Sequence, residues 1–440
     1  MSHLPDDALV EVMQYLDVPD LLSCRLVCKR LAALALHRDA WRHRQLACSD
    51  RYLCVALRLA PCLDKAELQL PLRGRLMIAT TTTCAVAELK LTTGCAKRGA
   101  MQAALLTRHQ ASLGRLKRLS LVFGDEDTSP CPWLLFWTVA STSGLESLVI
   151  LGFPSRFDRI SKKRKYLPDR PVSSPSLKIF RCDFHRKSAS FVHFILAEHA
   201  ETLRDVSIPT MTSPSDPVTA SLLASIPNLS GLACPLLPGL DALAGRVKEG
   251  LCYAQLVVSS AMRPFAPAAA DFLRRANDLW AFTLSIDSGD DVALELVEAL
   301  VSSGGSEVRE VGLQGSLCAL GVLQQMIGKL TLLPSLRVLK LQGPPAGPRC
   351  VHGWLHCDAV KRLMYENRRV RLFAYDHLPR HCQDALCPDC MTGCRRTVLS
   401  QCSQLMNRVV DNVADCYNSA SGKRRMIREE DMIDIYMAPF

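Results

Sequence analysis

No stretch of this 440-residue chain comes near the ~18–20 uninterrupted apolar residues that a membrane span requires. The greasiest run, Trp133 to Ala140, is far too short. The amino terminus has Asp6 and Asp7 where a secretory signal would have a basic segment followed by an apolar run. A soluble intracellular protein is the expectation, in the cytoplasm, the nucleus or both, with no membrane partner. Also missing are a phosphate-cradling glycine loop, a G-x-S-x-G elbow and an H-E-x-x-H helix. Nothing around any cysteine is diagnostic of a nucleophile. The chain reads as a protein without catalytic residues of its own.

What is present is globular. Hydrophobic residues make up 48% and charged residues 22% of the chain, and its length allows two or three domains. The twenty cysteines, without an export signal, point to a reducing compartment in which most serve as small buried hydrophobes. The net charge of +10 fits an acidic partner, nucleic acid or a solvated surface equally well.

The first fifty residues carry three helix signals. Pro5, Asp6 and Asp7 make a helix start, followed by Leu9, Val12, Met13 and Leu16 as an apolar stripe. Asp17 with Pro19 and Asp20 starts a second helix, DLLSCRLVCKRLAAL, from Asp20 to Leu34. Asp39 begins a third, bearing Trp41. A unit this small cannot enclose its own core, because surface outruns volume below ~40–60 residues. Part of its apolar surface needs a cover, from the next domain or from another protein.

Leu4 to Trp41 resembles an F-box. The family's Leu-Pro start appears as Leu4–Pro5, its Tyr-Leu as Tyr15–Leu16, its Asp-Leu-Leu as Asp20–Leu21–Leu22 and its Val-Cys-Lys as Val27–Cys28–Lys29, with Trp41 beyond. Leu31 stands where many members have an aromatic residue, and Val12–Met13 where Ile-Phe is usual. The resemblance implies an F-box over residues 1–48 that docks on a Skp-family adaptor and, through it, on a cullin. It also implies that Leu4, Pro5, Leu9, Leu16, Leu21, Leu22, Val27, Cys28 and Trp41 supply the adaptor contacts, with Leu21 and Leu22 as leading anchors.

Beyond residue 60 an apolar-x-x-apolar-x-apolar pattern recurs. Its last positions are Leu70, Leu91, Leu121, Ile150, Cys182, Ile208, Cys234, Val258, Leu284, Leu313, Leu341 and Tyr375, twelve copies spaced by 21 to 34 residues. Amphipathic segments such as Ser188–His199 and Val292–Val301 lie between copies. Strand followed by helix, repeated, predicts an α/β fold with parallel strands inside and helices on one outer face. The pattern resembles leucine-rich repeats, and the whole chain resembles the F-box/leucine-rich-repeat family. The implied organisation is an F-box, a degenerate solenoid over 60–380 and a Cys-rich cap and tail over 381–440. Many family members form a ladder from Asn or Cys three places beyond the last leucine. Here those places hold Gly94, Gly124, Phe153, His185, Met211 and Leu237, among others, so no such ladder can form and irregular repeats are expected.

The outward strand residues Lys90, Arg118, Arg181, Asp183, Asp205, Glu310, Lys340 and Gln342 are the candidate substrate contacts, or else plain solvated positions. Their mixed signs argue against a nucleic-acid groove. Lys162–Lys165, within a Pro/Ser-rich basic stretch, reads as a nuclear signal or a solvated loop. Eight cysteines fall between Cys350 and Cys416. Cys387, Cys390, Cys394 and His381 have ligand types suited to a structural zinc, but there is no second C-x-x-C, and buried cysteines in a terminal cap are the competing reading. No other cofactor is expected. The implied function is substrate recognition for a Skp–cullin–F-box ubiquitin ligase, with a protein substrate held by the repeats; a non-ligase scaffold is the alternative.

Overall fold

The computed structural model describes residues 4–72, 76–93, 99–124, 132–152, 174–183, 188–209, 217–244, 250–276, 278–288, 290–303, 307–315, 320–342, 357–367 and 369–375. The chain divides into two compact units, residues 1–209 with 225–229, and residues 210–224 with 230–440. Among the described residues no helix is long and apolar enough to cross a membrane.

The first unit opens with four short helices: α1 (Asp6–Tyr15), α2 (Val18–Cys24), α3 (Lys29–Leu34) and α4 (Arg38–Trp41). Pro5 precedes α1, and Asp6 and Asp7 occupy its first turn. The Asp17 carboxylate caps α2 by accepting the Asp20 N–H at 2.8 Å. The expected continuous helix over 20–34 is in fact two. Backbone bonds from Leu26 to Ser23 and from Val27 to Cys24 tighten the end of α2. Cys28 then turns extended, and its Sγ accepts the Leu31 N–H to start α3. Periodicity does not reveal this break, because Val27, Cys28 and Leu31 keep helical phase across it.

Strands and helices then alternate. They are β1 (Gln45–Leu46), α5 (Leu53–Leu59), β2 (Cys62–Leu70), α6 (Leu76–Thr81), β3 (Ala85–Thr93), α7 (Gly99–Ser112), β4 (Arg118–Phe123), α8 (Pro132–Ala140), β5 (Ser147–Leu151), β6 (Ile179–Cys182), α9 (Ala189–Glu198) and β7 (Asp205–Ser207). Each neighbouring strand pair is parallel. The register stacks Leu89, Leu119, Leu148, Phe180 and Val206 in one row, and Leu91, Leu121, Ile150 and Cys182 in the next. All of these are buried. The alternate strand positions are largely half-exposed, as a period of two requires.

The second unit holds α10 (Val218–Ala224), β8 (Gly231–Pro235), β9 (Tyr253–Val258), α11 (Ala266–Arg275), β10 (Ala281–Ile286), α12 (Asp290–Ser302), β11 (Glu310–Gln314), α13 (Leu320–Leu330), β12 (Val338–Gln342), α14 (Asp358–Glu366) and β13 (Arg371–Tyr375). Its strands are also parallel and in register. Leu232, Ala254, Phe282, Val311, Leu339 and Leu372 form its central buried row.

Each of the twelve sequence copies falls on one strand, β2 to β13, or at its end; the two-residue β1 had no such signal. The pairing is more regular than a missing side-chain ladder led us to expect, and the reason is in the backbone. At successive strand entries one carbonyl accepts two N–H groups from the next strand's start. Arg44 takes Asp64 and Lys65, Lys117 takes Glu146 and Ser147, Glu146 takes Lys178 and Ile179, Cys252 takes Trp280 and Ala281, and Trp280 takes Arg309 and Glu310, all at 2.8–3.2 Å. These shared carbonyls bond the strand entries to one another, at the end of each strand opposite to the ladder positions. The tightest turns use glycine. Gly152 (φ +66°) follows β5, Gly315 (φ +158°) follows β11, and a Cβ on either would come within 2.5 Å or less of a carbonyl oxygen in the preceding repeat, Phe123 or Ile286.

Lys162–Lys165 lies outside the described residues, and so do His381, Cys387, Cys390 and Cys394. Among the described residues no His/Cys/Asp/Glu group is placed to hold a metal ion. Cys62, Cys84, Cys182, Cys234 and Cys357 are buried, whereas Cys28, Cys48 and Cys252 are exposed. Burial pushes the Cys84 and Cys234 thiols up to about 12, which keeps both protonated and unreactive.

Candidate functional site

The helical unit at the amino terminus has a small core and a greasy outside. Trp41 is fully buried and its indole N–H donates to the Ala35 carbonyl at 2.7 Å. Arg44 donates to the carbonyls of Ala40 and Met13 at 2.7 and 2.8 Å, and its guanidinium lies 5.7 Å from the Trp41 ring. Burial lowers the Arg44 pKa, and Asp17 works against that shift. Arg30 ties the entrance of α1 to α3 through Asp6 at 2.6 Å.

This core divides the expected adaptor contacts. Leu9, Leu21 and Trp41 are buried within the unit itself, so they shape the surface rather than form it. Leu22 and Leu16 are half-buried, and Leu4, Pro5, Val27 and Cys28 are exposed. Three apolar residues outside the expected contact set are exposed as well: Tyr15 at 85%, Leu26 at 89% and Val12. Leu26 and Val27 are displayed because the α2–α3 break takes them off the helix. A signal for them existed, since one unbroken helix cannot bury Leu22, Leu26, Val27 and Leu31 against so small a core.

A cleft of about 570 Å³ lies between the α1–α2 corner and β1, lined by Tyr15, Asp17, His43, Arg44 and Asp50 among others. Its acids are engaged already: Asp17 caps α2, Asp39 pairs with Arg42 at 3.2 Å, and Asp50 accepts the Tyr52 N–H at 2.8 Å.

The helical unit is joined to the strands that follow it. β1 pairs with β2, the Arg44 carbonyl accepts two β2 N–H groups, Arg115 donates to the Arg42 carbonyl at 3.1 Å, and α4 packs on β2.

The expected strand-face residues are divided between the two units. In the first unit Lys90 pairs with Glu67 at 3.5 Å, and Arg118 with Glu88 at 2.8 Å and Asp64 at 3.2 Å. Lys65 bridges Glu67 and Glu88. Burial alone would raise the Glu67 pKa, but Lys65 and Lys90 hold it below its ordinary value. Arg181 sits in register between Val149 and Ser207. Asp183 accepts the Gly152 N–H at 2.6 Å. Burial raises the Asp205 pKa, with Arg181 and Arg204 opposing. In the second unit Glu310 and Lys340 pair with each other, and Gln342 stands in register with Gln314.

Residues 1–47 match a family model described as F-box-like. No curated protein matches the chain.

Proposed function

We propose that this chain is the substrate-recognition subunit of a Skp–cullin–F-box ubiquitin ligase, with a leucine-rich-repeat body. The observation that carries the reading is the F-box-like match over residues 1–47 together with the exposed apolar set Leu4, Val12, Tyr15, Leu26 and Val27 on that same helical unit. Surface leucines and valines gathered on so short a segment mark a docking surface. The Skp-family adaptor covers them and brings the cullin. Burying one such side chain is worth ~1.5–3 kcal/mol, and Leu26 and Val27 take the place of Leu21 as the anchors.

The contribution to ubiquitin transfer is positional. The repeats hold a protein substrate on the strand face, and the firm join between helical unit and strands keeps the substrate's lysines near a charged ubiquitin thioester. That raises effective concentration without any bond chemistry from this chain.

Co-expression with a Skp-family adaptor tests the reading, using wild type beside Leu26→Glu/Val27→Glu. Stable 1:1 association, lost in a variant that keeps its melting temperature, is the expected result. Failure of the wild-type chain to associate would remove the ligase reading. Association without ubiquitin-dependent turnover of any bound protein would favour a scaffold instead.

A further inference from the structure

Helices on the outside of a folded domain are amphipathic: one stripe faces the core and the rest carries charge. The first unit breaks this rule. α5, α6, α7 and α8 have no acidic residue anywhere in their sequences, and Arg58 and Arg108 are the exposed cations on them. α8 is the greasiest run of the chain, Pro-Trp-Leu-Leu-Phe-Trp-Thr-Val-Ala. Its Phe136 is fully buried between Phe123 and Phe191, with centroids at 5.9 and 4.9 Å. Yet Trp137, the next residue, is 42% exposed. On α7, Met101 and Leu105 are exposed one turn apart, and Met77 of α6 is exposed at 76%. These helices pack side by side in chain order, so the exposed residues belong to adjoining elements of one outer layer.

A helix that is apolar all round belongs in an interior; α8 comes close to that, and with Met77, Met101 and Leu105 exposed on its neighbours this layer has the composition of a covered surface. Its chemistry also says what covers it. Methionines beside an aromatic make an adaptable apolar bed of the kind that receives helices. With only cations on the four helices, a second copy of the same face would set arginine against arginine. The acids next to these helices in sequence are Asp50 before α5, which accepts the Tyr52 N–H, Asp64 on β2, which pairs with Arg118, and Asp125, Glu126 and Asp127 in the β4–α8 connection, outside the described residues. Two arginines are few for an anionic bilayer, which draws on Lys/Arg-rich faces.

We propose that the outer face of α5, α6, α7 and α8 docks an amphipathic helix of a partner protein whose flanks carry carboxylates. This surface is on the helix layer, separate from both the F-box surface and the strand face, and the proposal stands whether or not the ligase reading holds.

The test uses the full chain and two synthetic helices with the same leucine–phenylalanine stripe, one flanked by glutamates and one by lysines. Fluorescence anisotropy is expected to show saturable binding of the glutamate helix, weakened at least about tenfold by Met77→Glu/Leu105→Gln, with an unchanged circular dichroism spectrum. Arg58→Glu/Arg108→Glu is expected to exchange the preference and take the lysine helix. No binding of the glutamate helix, or equal binding of both, overturns the proposal. So does a concentration-dependent dimer, or capture by phosphatidylserine vesicles, that the Met77→Glu/Leu105→Gln variant abolishes, since a second copy or a membrane would then be the cover.

Discussion

The two units are built from the same strand–helix alternation but distribute their ion pairs differently. In the first, Asp64, Lys65, Glu67, Glu88, Lys90 and Arg118 form a lattice of ion pairs on the strands, and helices α5–α8 are acid-free. In the second, the positions of β8–β10 that alternate with the core row are uncharged and mostly buried, as Ala233, Gln255, Val257, Ala281 and Thr283 show. There the helices are charged: Lys329 of α13 pairs with Glu298 of α12 at 2.9 Å, and Arg362 with Glu366 along α14 at 2.7 Å. One alternation can therefore carry a lattice of ion pairs on its strands, as in β2–β4, or leave the same positions uncharged, as in β8–β10, before charge returns with Glu310 and Lys340. The parallel register constrains the buried rows and leaves the remaining face of each layer free to specialise.

Substitutions sharpen that contrast. The largest effect is expected at Trp41, which has no counterpart among the described core residues of the second unit. Trp41→Ala should cost ~3–5 kcal/mol, read as a fall in urea midpoint and as lost amide protection over α1–α4. Protection that survives there would show that Arg44 and the backbone hold the helical unit without the indole. Next comes a matched pair, Gly152→Ala and Gly315→Ala. Each places a Cβ against a carbonyl of the preceding repeat at a φ that L-residues avoid, so about 1–3 kcal/mol is expected at both. A large difference between them in chemical denaturation would show that the backbone angle, +66° at Gly152 against +158° at Gly315, sets the cost rather than the close carbonyl the two sites share.

Acid should separate the units. The turn after α9 depends on His199, whose Nδ1 accepts the N–H groups of Ser176 and Leu177 at 3.3 and 3.5 Å, and burial lowers its pKa. In the second unit Asn367, which does not titrate, donates to the Leu336 carbonyl at 3.4 Å in the turn after α14. Unfolded, the imidazole takes a proton near pH ~6.5, while the folded group holds out to lower pH. The unfolded chain thus binds more protons in that window, and stability should drop as pH falls through it. The melting temperature should fall less between pH 7.5 and 5.5 in His199→Gln than in wild type; equal falls would assign the acid sensitivity elsewhere. The smallest effects belong to the ion pairs. Arg118→Ala and Lys329→Ala are each expected to cost about 0–1 kcal/mol and to lose even that in high salt. A markedly larger cost for Arg118, seen in thermal melts at low salt, would show that the strand-face lattice acts cooperatively.

Much of this was legible in the sequence. Twelve apolar triplets marked twelve strands, because a buried row repeats at every strand and leaves a trace each time. The caps at Pro5 and Asp17 were readable for the same local reason. The α2–α3 break was not, since helical phase continues across it while Cys28 leaves helical dihedrals. The shared carbonyls at the strand entries were hidden too: those of Lys117 and Trp280 each accept two N–H groups, and every residue has a carbonyl. Apolar spacing marked Leu21, Val27 and Trp41 alike but not which way they face; burial separates them, with Leu21 and Trp41 inside the helical unit and Val27 on its surface.

The two residues of β1 have an outsized consequence. They belong to the F-box-like segment and are the first strand to pair, and they cover Lys65 and Ala66 of nine-residue β2. Deleting residues 1–47 would also bare that part of the β2 edge, a template for aggregation. Any effect of such a deletion would mix two causes, and point changes at Leu26 and Val27 are the cleaner way to test the proposed docking surface.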